Sequence, residues 1–216
     1  MAITYPRELP LPCSIWSATL DLADNVTGSP SGGGKMNLTQ VDDPLWRAVI
    51  RWGTLGPSGR GICSAWKNSL RGGLRSFIAS DTRRRTPLAY PDATVPADIS
   101  GAWGGTAVVT SLGLSGVLGL SGLPGSYKFS AGDRIGLEQS GRRGYYEVIE
   151  AVTANGSGVA SVTVAPFLHT TIFTTAATAR VWQPKAEFTI DWSAWREDEA
   201  DDPRYASVSF EAWQKL

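Results

Sequence analysis

The chain has 216 residues, 42% of them hydrophobic and with nine Trp, six Tyr and six Phe among them, so it can bury a sizeable core and is unlike aromatic-poor disordered chains. Twenty basic and twenty acidic side chains cancel, which speaks against a protein that works by neutralising phosphates, and no nucleic-acid partner is expected. Two cysteines, Cys13 and Cys63, are too few for a disulfide framework and read as reduced, buried thiols. The stretch MAITYPRELPLPC lacks the basic start and unbroken apolar run of a signal peptide, so synthesis and residence in the cytoplasm are expected.

Period-two alternation, the pattern of half-buried strands, recurs along the chain. Trp16, Ala18, Leu20 and Leu22 form the first apolar face. Beyond the turn-rich GSPSGGG, residues 36–41 alternate again and are expected to fold back on that first strand as a hairpin. LWRAVIRW places Trp46, Ala48, Ile50 and Trp52 on one side and Arg47 and Arg51 on the other. A helix should follow: Pro57 and Ser58 suit its start, Ile62, Trp66 and Leu70 recur at spacing four, and Gly72 and Gly73 end it. LRSFIA then reads as a strand leading into Arg83, Arg84 and Arg85.

Between Asp98 and Lys128 no residue is charged, and glycine recurs at Gly113, Gly116, Gly119, Gly122 and Gly125. Collagen needs more triplets and more proline, and a membrane span needs about twenty predominantly apolar residues. The segment 104–126 is therefore expected to be an uncharged loop that becomes ordered against another subunit, because so few side chains can offset a backbone entropy cost of about 1–2 kcal/mol per residue.

AGDRIGLE, YYEVIEAV and VASVTVAP form a predicted β-meander, with TANGSG turning between the last two. ARVWQ and AEFTIDW add strands, REDEADD reads as a solvated loop, and YASVSFEAW closes the chain with Ala206, Val208, Phe210 and Ala212 on one face. About nine strands and one helix result, an all-β class with one helix.

Chemistry-bearing residues are sparse. His169 is the only histidine, so a triad or zinc site is short of ligands, and Cys63 sits beside Trp66 as a small hydrophobe would. The glycine repeat lacks the GxxxxGK[ST] spacing of a phosphate cradle, and Glu197, Asp198, Glu199, Asp201 and Asp202 depart from the EF-hand pattern. No catalytic, cofactor or metal residue is assigned. Interface roles are the remaining candidates, for Leu112, Leu114, Val117, Leu118 and Leu120 and for Arg83, Arg84 and Arg85, although the arginines equally suit a plain surface.

Residues 42–81, DDPLWRAVIRWGTLGPSGRGICSAWKNSLRGGLRSFIASD, resemble the strand–helix–strand of tail-tip proteins in siphophages and gene-transfer-agent-like particles. Residues 131–171, AGDRIGLEQSGRRGYYEVIEAVTANGSGVASVTVAPFLHTT, are similar to a small β-barrel module of such proteins. The resemblance, to phage distal tail proteins, covers under half the chain and does not extend to the glycine-rich segment. It implies a β-barrel or sandwich belt domain (1–97 with 188–216) carrying an inserted β-barrel module (98–187). It also implies a ring, usually a hexamer, between the tail tube protein and the tail-tip hub protein of a virion, with no cofactor, no catalysis and no membrane insertion. Two other readings compete. One is a carbohydrate or host-receptor module stacking on Trp103, Tyr127, Tyr145, Tyr146 and Trp182; the other is a cell-wall peptidase using Cys63 and His169.

Overall fold

The computed structural model describes residues 3–12, 16–30, 32–199, 202 and 204–216. Among them are sixteen strands and one α-helix, an all-β class with a single helix. In chain order they are β1 (Arg7–Glu8), β2 (Trp16–Ala23), β3 (Val26–Pro30), β4 (Met36–Gln40), β5 (Leu45–Leu55), α1 (Pro57–Ser69) and β6 (Phe77–Ala79). Next come β7 (Thr106–Leu112), β8 (Val117–Ser121), β9 (Lys128–Phe129), β10 (Arg134–Gln139), β11 (Arg142–Val148), β12 (Val152–Thr153), β13 (Ala160–Ala165) and β14 (Thr178–Arg180). The last two are β15 (Ala186–Glu199) and β16 (Ala206–Gln214).

Two cores organise these elements. An open sheet in the order β1-β6-β15-β16-β5-β2 buries Ala18, Leu20, Trp46, Ile50, Trp52, Phe188 and Phe210 on one face, beneath α1. A closed barrel in the order β10-β11-β13-β8-β7-β14 encloses Leu118, Leu120, Ile135, Leu137, Tyr146 and Val162. The chain leaves the sheet after β6 and returns to it at β15. The region expected to form the belt is a six-stranded sheet with a helix on it.

The helix packs through a different stripe from the expected one. Gly59, Cys63, Trp66 and Leu70 are buried, whereas Ile62 is 49% exposed. Steps of four alone drift by roughly 40° each around a helix with 3.6 residues per turn, while the 4-3-4 spacing of the buried set stays on one face. Trp66 anchors the contact. Its ring meets Trp52, Phe77 and Phe210 at 5.8, 5.2 and 5.8 Å, and its Nε1–H donates to the Glu8 carbonyl at 3.2 Å. On the flank, the Lys67 ammonium lies 4.9 and 4.4 Å from the ring centres of Trp192 and Trp195.

Two further expectations are corrected. The acidic run is not all loop: Arg196 to Glu199 continue β15 and pair with Ser209 to Ala206 of β16. Their ladder with β16 overrides a composition that favours loops, and exposed Glu197 meets Arg60 at 2.7 Å. The glycine-rich segment is likewise no loop awaiting a partner. Both β7 and β8 are strands of the closed barrel, and Ala107, Val109, Leu118 and Leu120 find a core within the same chain.

The modules meet over Trp46 of β5 and Tyr145 of β11. Trp46 Nε1–H donates to the Tyr145 carbonyl at 2.7 Å, the rings pack edge-on at 5.2 Å, and the Arg134 guanidinium covers Trp46 at 4.5 Å while pairing with Glu147 at 2.5 Å. Asp133, 4% exposed, accepts from the Leu88 amide at 2.8 Å, and Arg84 donates to the Gly132 carbonyl at 2.8 Å. The linking segment is thereby tied to the barrel by one backbone amide and one side chain.

Candidate functional site

A projecting ribbon is the feature that the two cores do not account for. In β3 and β4 every residue is exposed, and the two strands pair only with each other. The register sets Val26 opposite Gln40, Gly28 opposite Leu38 and Pro30 opposite Met36. These residues share one face, with Val26, Met36 and Leu38 at 48, 65 and 68% exposure. Thr27, Ser29, Asn37 and Thr39 form the other, polar face. At Gly28 a Cβ would sit 3.0 Å from Met36 Cε and 3.1 Å from Leu38 Cδ2, so both side chains lie across the bare backbone. At the base, the Val41 amide donates to the Asn25 carbonyl and Asn25 Nδ2 to the Asp43 carbonyl, each at 2.8 Å. The expected hairpin between residues 16–22 and 36–41 is therefore replaced by two pairings, β3 with β4 and β2 with β5.

The sheet edges are, by contrast, closed to strand addition. On β2 the Thr82 amide donates to the Ala18 carbonyl at 2.8 Å, the Leu20 amide to Asp81 Oδ2 at 3.4 Å and Arg83 Nη2 to the Leu20 carbonyl at 3.1 Å. At the other edge β1 has only two residues. Asp81, fully buried, is thus an edge cap, and its hydrogen bond with Arg83 joins that of Asp21 in raising the guanidinium pKa.

The arginine triplet has partners within the chain. Arg83 pairs with Asp81 and Asp21 at 3.2 and 2.9 Å, Arg84 binds the Gly132 carbonyl, and Arg85 stands 5.8 Å from the ring centre of Trp16. Of the apolar interface candidates, Leu118 and Leu120 have no exposed surface and face the barrel interior, which removes them as contact residues. Leu112 packs on the edge of the barrel core, while Leu114 and Val117 are 80 and 36% exposed.

Tyr127, Tyr145, Tyr146 and Trp182 are at most 8% exposed, and Trp103 packs against the barrel core, so these rings present no open stacking surface for a sugar. Cys63 is 2% exposed in the sheet–helix core, whereas His169 adjoins the barrel, its carbonyl accepting from the Phe173 amide at 2.9 Å. The structure does not bring these two into one site. Burial lowers the His169 pKa, and Asp43 at the ribbon base pulls it the other way. Asp202 pairs with Arg204 at 2.6 Å; Cys13 and Asp201 lie outside the described residues.

Among the described residues no three His, Cys, Asp or Glu side chains group as metal ligands, and no helix is long and apolar enough to cross a membrane. Sequence reasoning noted the alternation of residues 36–41 but missed the ribbon. The available signal was a second alternation, Val26, Gly28 and Pro30, in register with it across the glycine turn. No protein-family model matches the sequence, and no curated protein matches it either.

Proposed function

We propose that this chain is a structural subunit of a bacteriophage tail, the distal ring subunit that joins the tail tube to the tail-tip hub. The observation that carries the assembly part of this reading is the ribbon. An isolated two-stranded hairpin is marginal in water, and a contiguous apolar face left in solvent is characteristic of a surface awaiting a partner. Support for the tail assignment comes from the resemblance, since residues 42–81 coincide with β5, α1 and β6, and residues 131–171 with β10 to β13. In this reading the sheet module builds the ring, most simply a hexamer of one chain, and the barrel is carried on it. Capped sheet edges suit such a subunit, because they prevent open-ended strand pairing while leaving the ribbon to set the geometry of closure. Negative-stain microscopy of the purified chain tests the proposal. Closed rings with a central channel that bind the ends of isolated tail tubes are the expected result; a chain that forms no closed ring and leaves tube ends bare contradicts it.

A further inference from the structure

A cleft of about 530 Å³ opens where the sheet meets the β10–β11 turn, and it is lined by Tyr5, Leu74, Arg75, Arg142, Glu187 and Lys215 among others. Its apolar wall includes Leu74, which is 82% exposed. Arg75, Arg142 and Lys215 set three cationic side chains against one carboxylate side chain, Glu187. Arg75 lies 4.2 Å over the Tyr5 ring, Lys215 stands 3.4 Å from Glu187, and Arg142 has no ion-pair partner among the described residues. The ribbon has the opposite character. Asp24, Asp42 and Asp43 flank its base, none in an ion pair among the described residues, and Lys35 is its single cation.

From this complementarity we infer that the apolar face of the ribbon docks into the cleft of a second copy of this chain, Met36 and Leu38 against Tyr5 and Leu74, with the aspartates at the ribbon base meeting Arg142 and its cationic neighbours. The inference rests on the ring reading above and names the two surfaces that would close the ring. Knob and hole belong to different elements of one chain, which is what a head-to-tail contact requires; a two-fold dimer would match one patch with itself. A cleft of this volume takes a few side chains and not the whole ribbon, so the aspartates remain at the rim, where opposite charges steer encounter and fix register. An anionic bilayer is the less suitable cover for the apolar face, because the same aspartates would be repelled by its surface potential.

Sedimentation of the full chain tests this, using exposed positions whose substitution leaves the melting temperature unchanged. Leu38→Asp on the ribbon and Leu74→Asp in the cleft are each expected to weaken self-association at least tenfold. The charge-reversed Arg142→Glu and the paired Asp42→Lys with Asp43→Lys are expected to weaken it separately and to restore it when combined in one chain. The inference is overturned if the cleft variants associate like the wild type while Leu38→Asp does not, or if the combined reversal fails to recover. It is also overturned if the wild type floats with anionic vesicles through Leu38 and stays monomeric without them. Rings that persist in Leu38→Asp would remove this contact and leave the ring reading standing, whereas a wild type that never associates removes both.

Discussion

Two hairpins of this molecule have nearly the same design and opposite surroundings. β7 and β8 join through a glycine turn, alternate inward with outward positions, and bury Ala107, Val109, Leu118 and Leu120 inside the barrel. β3 and β4 also join through a glycine turn and alternate, yet their apolar face is bare. Alternation therefore specifies that a strand has an apolar face, and the remainder of the fold decides whether anything in the same chain covers it. The barrel hairpin is covered because both of its outer edges find strands, β13 and β14; the ribbon leaves the sheet between β2 and β5 and has no neighbour.

The largest expected difference follows from that contrast. Leu120→Ala should cost about 2–5 kcal/mol of unfolding free energy, as a buried leucine truncation does, whereas Leu38→Ala in the dilute subunit should lie within about 0.5 kcal/mol of wild type. Chemical denaturation measures both, and equal costs would mean that the ribbon is packed in the isolated chain. Trp66→Ala, removing the ring shared by the helix and sheet, should cost about 3–5 kcal/mol, and an unchanged denaturation curve would remove the helix from the sheet core.

The turns of the two hairpins also differ. At Gly116, between β7 and β8, φ is +80° and a Cβ would lie 2.7 Å from the Val164 carbonyl, so Gly116→Ala should cost about 1–3 kcal/mol. At Gly33, between β3 and β4, nothing lies within 4 Å of a Cβ, and Gly33→Ala should be neutral or stabilise by up to about 1 kcal/mol. Similar melting temperatures for the two variants would erase the distinction.

The smallest effect concerns pH. Burial holds the His169 pKa below its unfolded value of 6.5, so the unfolded chain takes up the proton first as pH falls. The resulting loss of stability begins below 6.5 and is complete once the folded pKa is passed. Relative to His169→Gln, the wild type should therefore lose stability as pH falls below 6.5. Taking this difference cancels Asp133, whose pKa burial raises and whose slope is opposite. Asp43→Asn should enlarge the loss by removing the opposing charge at the ribbon base. A wild type parallel to His169→Gln would place the imidazole in water.

Much of the sheet was legible in the residues themselves. Trp46, Ala48, Ile50 and Trp52 share a buried face as their alternation predicts, as do Ala206, Val208, Phe210 and Ala212. Strong two-residue periods with large apolar side chains leave little choice of face. The glycine-rich hairpin was misread because Val108 and Val117 point outward and Gly119 has no side chain, which conceals the alternation of Ala107, Val109, Leu118 and Leu120. Asp81 was illegible for another reason: its role exists only because residues 81–83 return to the edge of β2, some sixty residues earlier in the chain. The ribbon was half legible, its alternation visible and its isolation not, since isolation is a property of everything else in the fold.

Amide hydrogen exchange on the two hairpins, compared between dilute subunit and assembled ring, reads whether assembly covers the ribbon. The amides of residues 106–121 should be protected in both states, and those of residues 26–40 should exchange fast in the subunit and slowly in the ring. Ribbon amides that exchange equally fast in both states would show that assembly leaves the ribbon bare.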